Sequence, residues 1–338
     1  MTVSIRDVAE RAGVSVGTVS NVLNRPARVS EGVVERVHAA IRELGYVRND
    51  AARQLRAGRS SSVGLVVLDG RNPFFSDIAR GAEDEAAEHG VSVLLGDSDE
   101  NPAREAAYLD LFEEQRARGV LVSPLGDITE RLERLRAHGT PVVLVDRHAD
   151  GALSSVSVDD VAGGRTATAH LLGLGRRRVA FVAGPLGIRQ VADRLAGARE
   201  AVAGVPGAAI EVLEGTALSV LEGRRMGEQL VARPPAERPD AVFAANDLLA
   251  VGLLQALVMR GAVRVPEDVA IVGFDDIDFS SATVVPLSSI RQPSRLIGQT
   301  ALRILLEEAD DPELAPRQVV FQPELVVRES STPQSPTP

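Results

Sequence analysis

Apolar residues fall into three regimes along this chain, and the first is helical. Ile5, Val8 and Ala9 mark one face of a short helix. Val19 and Val22 lie three apart in a second helix over 16–23, and Val33, Val34, Val37, Ile41 and Leu44 form a stripe in a third. Ser4 followed by Asp7 is a capping-box pattern, Ser15 and Ser30 can cap the next two helices, and Gly13 and Gly45 can end helices in the left-handed conformation. Two short helices joined by Gly13-Val14-Ser15 predict a helix-turn-helix. The second regime, NDAARQLRAGRSS at 49–61, is polar and rich in Ala and Arg. A helix there would run only about two turns, too short to hold alone, so it reads as a linker that turns helical when something holds it.

The third regime begins at Val63. Short apolar runs alternate with helical patterns: VGLVVL (63–68), a helix over 74–89, VSVLLG, a helix over 102–118, GVLVSP, a helix over 127–138, PVVLVD and SSVSVDD. The plan then repeats, with a helix over 161–174, RVAFVAG, a helix over 189–203, a weaker strand over 209–213, a helix over 219–232, AVFAA, a helix over 246–260 and VAIVGFDD. Short apolar strands alternating with helices predict parallel sheets covered on both faces. The expected architecture is a small all-α helix-turn-helix headpiece followed by an α/β core of two doubly wound parallel-sheet lobes. The closing STPQSPTP (331–338) has no apolar content and is expected to be disordered.

Composition narrows the function. With 338 residues, 44% hydrophobic and 25% charged, the chain is globular and exceeds one ordinary core. It has no cysteine, which excludes disulfides and thiolate metal sites. The absence of a long apolar run predicts no membrane span, and charges where a signal peptide needs an apolar stretch predict a cytoplasmic protein. The net charge of −10 disfavours nucleic acid until its distribution is examined. Residues 1–60 carry ten Arg against six Asp or Glu, a net of +4, and the remainder carries 27 basic against 41 acidic residues, a net of −14. A basic head on an acidic body suits a protein that meets phosphate at one end, although a small basic domain with no DNA role shows the same charge.

In a helix-turn-helix the second helix enters the major groove, and its N-terminal residues touch base edges. Here those are Val16, which can contact a thymine methyl, Gly17, which permits close approach, and Asn21, which can pair with adenine. Ser15, Thr18, Ser20 and Asn24 are short hydrogen-bonders suited to phosphate. The same residues would also make an ordinary polar helix face.

The stretch IRDVAERAGVSVGTVSNVLN, followed by VSEGVVERVHAAIRELGYVRNDAARQLRAG, resembles the lactose-repressor (LacI/GalR) family of bacterial regulators. The similarity continues in order through VDR, DDVAGGRTATAHLLGLGRRRVAFVAGP, FAANDLLAVGLLQAL, VAIVGFDDIDFSS and PLSSIRQP. The resemblance implies a headpiece over 1–48, a hinge helix over 49–61 and a periplasmic-binding-protein-like core over 62–330, acting as a homodimer. The implied N-lobe covers about 62–161 and 291–318, and the C-lobe about 162–290 and 319–330. Leu55 would be an apolar wedge in the minor groove, with Arg53 and Arg56 on phosphate beside it. Asn21 stands where many relatives carry Arg, and Arg176 where a His is usual. The partners implied are double-stranded operator DNA, a small sugar-like effector and a second copy of the chain, with no cofactor.

Ligands of open α/β sheets bind beyond the carboxyl ends of the strands, and two lobes facing each other make a cleft there. Strand ends here supply Phe74, Phe75, Asp97, Asp146, Arg147, Asn246 and Asp275, with Arg194 on a helix. By resemblance Phe74, Arg147, Arg194, Asn246, Asp275 and Gln292 bind the effector. Singly, each has a plainer role: Asp275 can cap a turn, Arg194 can pair with Asp193 or Glu200, and Phe74 can be core. Two other classes remain. An enzyme could use Asp275, Asp276 and Asp278 on a metal or a sugar, but the chain has no Ser-His-Asp motif, phosphate-binding loop or HExxH, and its five His show no ligand spacing. A solute-binding protein would suit the core but not the basic headpiece.

Overall fold

The computed structural model describes residues 3–46, 60–149, 151–259 and 263–332. The expected hinge residues Arg53, Leu55 and Arg56 lie outside them. The chain divides into two compact units, 1–59 and 60–338.

The first unit packs α1 (Ile5–Ala12), α2 (Val16–Asn24) and α3 (Glu31–Leu44) around Val8, Ala9, Val19, Val22, Val37 and Ala40, all buried. The Ser4–Asp7 capping box forms, with the Asp7 carboxylate accepting from the Ser4 amide at 2.7 Å. Gly13 ends α1 at φ 65, a left-handed conformation that favours glycine, and its amide donates back to the Ala9 and Glu10 carbonyls. Ser15 caps α2, accepting from the Thr18 amide at 3.0 Å. Ser30 occupies the N-cap of α3, but its side chain makes no capping bond.

The second unit contains two six-stranded sheets. The first orders its strands β11-β5-β4-β3-β1-β2, where β1 is Ser62–Val67, β2 Ser92–Asp97, β3 Val120–Val122, β4 Val142–Val145, β5 Ser154–Val158 and β11 Gln318–Phe321. The second orders them β12-β10-β9-β8-β6-β7, with β6 Arg178–Ala183, β7 Ala209–Glu214, β8 Ala241–Ala244, β9 Ala270–Asp275, β10 Ser288–Arg291 and β12 Glu324–Val326. Pairing is parallel throughout except for β12, which runs antiparallel to β10. The helices are α4 (Pro73–Glu88), α5 (Pro102–Glu114), α6 (Thr129–Ala137), α7 (Asp160–Gly173), α8 (Arg189–Ala203), α9 (Val220–Ala232), α10 (Asp247–Met259) and α11 (Ser294–Asp310).

Three expectations shift. The helix expected over 102–118 stops at Glu114, because Arg116 turns left-handed at φ 48 and the Ala117 amide closes back onto the Phe112 carbonyl. The C-lobe does not resume at 319: β11 hydrogen-bonds to β5 in the first sheet through Phe321, and the chain returns to the second sheet with β12. The tail expected to be disordered from 331 is ordered at its start. Ser331 is buried, its hydroxyl bonded to Ser288 Oγ (2.7 Å) and His170 Nε2 (2.8 Å), while 333–338 lie outside the described residues. Among the described residues the chain passes between the sheets three times, after β5, after β10 and between β11 and β12.

Candidate functional site

The outer face of α2 carries the residues expected to meet DNA. Val19 and Val22 anchor the helix inward, and their spacing turns Val16, Gly17 and Asn21 to solvent. Val16 is 37% exposed. A methyl on Gly17 would meet nothing nearer than Ser15 Oγ at 3.6 Å, so the headpiece core does not demand glycine there. Ser15 and Thr18 engage each other (2.9 Å), and Asn24 donates to the Ser20 carbonyl (2.9 Å) and hydroxyl (3.3 Å). These four therefore brace α2 locally, while no protein group among the described residues engages the Asn21 amide.

The second site lies between the two sheets. In each, strand order reverses, at β1/β3 in one and β6/β8 in the other, and loops leaving such a switch diverge to open a crevice. Phe74, Phe75, Asp146, Arg194, Asn246 and Asp275 line one small cavity together with Asn72 and Gln190. It measures about 30 Å³, room for water and not for a sugar ring. A wider mouth lies beside it, bordered by Arg71, Glu100, Leu125 and Thr216.

The polar residues form one network. Arg194 is buried on α8. Its Nε donates to Asp160 Oδ1 (2.8 Å), its Nη1 to the Ala245 carbonyl (2.7 Å), and its guanidinium stacks 3.6 Å over the Phe274 ring. Asp275 Oδ1 lies 4.0 Å from Nη1. Asp275 also accepts from Gln292 Nε2 (2.8 Å) and, across the cleft, from Asn72 Nδ2 (2.9 Å). Gln190 Nε2 makes the reverse crossing, donating to the Asp146 carbonyl (2.6 Å) and carboxylate (3.0 Å). Asn246 donates to the Leu218 carbonyl (3.2 Å) and accepts from the Leu249 amide (2.9 Å). Both facing carboxylates sit on backbone in the left-handed half, Asp146 at φ 55 and Asp275 at φ 110, costly for residues other than glycine.

Burial dominates the electrostatics. It pushes Asp146 well up, aided by Asp160 and Asp275 and opposed by Arg194. It also raises Asp275, and raises Asp160 to about 6 against the pull of Arg194. Burial works against the Arg194 charge, yet the three surrounding carboxylates outweigh it and hold that group above its ordinary value. Behind Asp275, buried Asp247 is raised to about 7, first by burial and then by Asp275. It accepts from the Ile277 amide (3.0 Å) and from the Ser280 (2.6 Å) and Ser289 (2.7 Å) hydroxyls, fixing the turn after β9.

Two expected residues stand elsewhere. Asp97 is a loop cap, accepting from the Gly70 (3.0 Å) and Asp99 (2.9 Å) amides at the ends of β1 and β2. Arg147 does not line the inner cavity; it borders recesses beside it with His148 and Arg189. Gln292 reaches the site through Asp275. Arg194 pairs with neither Asp193 nor Glu200 but with Asp160. Sequence reading missed Asn72, Gln190 and Asp160. Asp160 follows a strand, like the residues that were found, while Asn72 and Gln190 lie at helix starts and gain meaning only from the opposite lobe. Asp276 pairs with Arg291 (2.8 Å) and Arg328 (2.6 Å), and no group of three metal-ligating side chains occurs among the described residues.

Comparison with known proteins agrees with both halves. Residues 4–49 match "Bacterial regulatory proteins, lacI family", and residues 168–331 match "Periplasmic binding protein-like domain". The chain is 34% identical over 328 residues to the ribose operon repressor of Halalkalibacterium halodurans, covering 97% of each chain. Among solved structures, a complex of the transcriptional regulator CelR with cellobiose is 33% identical with a TM-score of 0.72, covering 97% of this chain and 100% of that one. The lac repressor dimer bound to operator and the anti-inducer ONPF is 28% identical with a TM-score of 0.83, covering 98% and 99%. No helix among the described residues is long and apolar enough to cross a membrane. A capped helix-turn-helix with an exposed second helix, joined in one chain to a two-lobed α/β core and alike over nearly its full length to such repressors, places this DNA-binding transcription regulator in the lacI family of bacterial regulatory proteins.

Proposed function

We propose that this chain is a cytoplasmic repressor, without enzymatic activity, that binds a palindromic operator as a homodimer and is released by a small polyhydroxylated effector in the interlobe cleft. One observation carries the reading. A buried guanidinium, three carboxylates and four amides converge where the strand ends of two lobes face each other, and bonds from Asn72 and Gln190 span the gap. Such groups can exchange their mutual bonds for those to sugar hydroxyls, and the Phe74 ring can face a sugar ring. Ligand binding then changes the lobe arrangement, and the effector acts by binding one arrangement better than the other. The second copy is supported by Leu94 and Leu95, which stand 44% and 54% exposed on edge strand β2, where a partner chain would cover them.

The test compares parent and Asp275→Ala by fluorescence anisotropy on a selected operator, with and without the inducing sugar identified by thermal-shift screening. Asp275→Ala is expected to hold operator at parental affinity and to lose the sugar response. An intact response would place the effector elsewhere. Tighter operator binding with sugar would make the ligand a corepressor.

A further inference from the structure

Four ionisable groups meet at the cleft, and they come from both sides of it. Asp146 ends β4 in one lobe. Asp275 at the end of β9 and Arg194 on α8 belong to the other, and Asp160 opens α7 where the chain crosses over. Each is less than a tenth exposed. One guanidinium faces three carboxylates, and among the described residues no other cation lines the cavity. Asn72, Gln190 and Gln292 are neutral. Asp193 on α8 and Asp247 on α10 add negative charge. Arg147, His148 and Arg189 border outer recesses, one of them shared with Asp160, and Arg189 pairs with Asp193 at 3.2 Å. Fully ionised, the cluster would hold a net charge of about −2 out of water, and buried carboxyls in that position take up protons instead.

We propose that closing the two lobes takes up a proton onto the Asp146–Asp160–Asp275 cluster, and that the lobes part as pH rises. Asp146 is the seat the geometry favours. Its Oδ2 accepts from Gln190, whereas its Oδ1 is buried with no partner among the described residues. Parting the lobes brings water to Asp146 and Asp275, the carboxyl ionises, and the proton leaves to solvent. The closed form binds more protons than the open one, because its carboxyl pKa values are raised, Asp160 to about 6. Closure is therefore favoured at low pH and is lost as pH rises through those raised values. Where one proton is coupled, the closed-to-open ratio falls about tenfold per pH unit.

The proposal concerns regulation of the cleft assigned to the effector, and its test uses neither effector nor DNA, so it stands or fails separately. The chain has no native cysteine, so a pair of spin labels at Glu133→Cys on α6 and Gln229→Cys on α9 reports the lobes alone. Full-length labelled protein, mixed with excess unlabelled chain so that each dimer carries one pair, is measured by pulsed dipolar spectroscopy from pH 5 to 8.5. The expected result is a short distance at low pH that gives way to a longer one as pH rises. Asp146→Asn, which removes the ionisation and keeps the shape, is expected to weaken that dependence markedly. A parental distance that does not move with pH overturns the proposal, as does an Asp146→Asn protein that opens over the same range as the parent.

Discussion

Asn21 and Arg194 show two opposite uses of a polar side chain. Asn21 is exposed, and no protein group among the described residues engages its amide, so both its donor and acceptor remain for an outside partner. Arg194 is buried with its charge answered by Asp160 and its face by Phe274, so its position is set before any ligand arrives. Removing Asn21 should therefore alter recognition and leave folding intact. In a binding selection over randomised operators, Asn21→Ala is expected to relax preference at one base per half-site, with a loss of about 1–3 kcal/mol on the preferred base. Uniform weakening across all sequences would show that Asn21 touches backbone. Asn21 was legible in the sequence because one amphipathic helix decides what is exposed. Asn72 and Gln190 were not, because each acquires its partner, Asp275 or Asp146, from the opposite sheet.

At the scale of elements, three helix pairs repeat one device. On α4 and α11, α7 and α8, and α9 and α10, glycines face the partner backbone: Gly81 and Gly298, Gly164 and Gly197, Gly223 and Gly252. A methyl at any of them would overlap a carbonyl oxygen of the opposing helix. The adjacent Gly163 leaves room for the Phe274 ring, on which Arg194 stacks. The GG of DDVAGGR is thus a packing feature that sets the height of the guanidinium in the cleft. Gly164→Ala should push α8 from α7 and destabilise the core by about 1–3 kcal/mol, read as a lower urea midpoint. An unchanged midpoint would mean that the pair can separate without cost. Periodicity reveals which residues form a helix, but not that two helices approach to backbone contact, so these glycines carried no message in the sequence.

At the scale of the molecule, the headpiece and the core each bury their own apolar residues. Deleting residues 1–59 should therefore leave a fragment that unfolds cooperatively by calorimetry and is not retained by operator DNA. A fragment that still bound operator specifically would move DNA recognition out of the headpiece. Much of this organisation was already determined by the sequence. Helical spacing in the first 46 residues, caps at Ser4 and Ser15, and alternating strands and helices after Val63 are local consequences of backbone sterics and solvent, and each is settled within a few turns of chain. The tertiary structure alone decided that β11 pairs with β5, that Ser331 is held by Ser288 and His170, and that Asp97 and Arg147 stand outside the cavity. It also decided that Asp146, Asp160 and Asp275 share one guanidinium. These are meetings of residues far apart along the chain. Their identity depends on which strand ends face each other once two sheets have folded, and no local pattern records that.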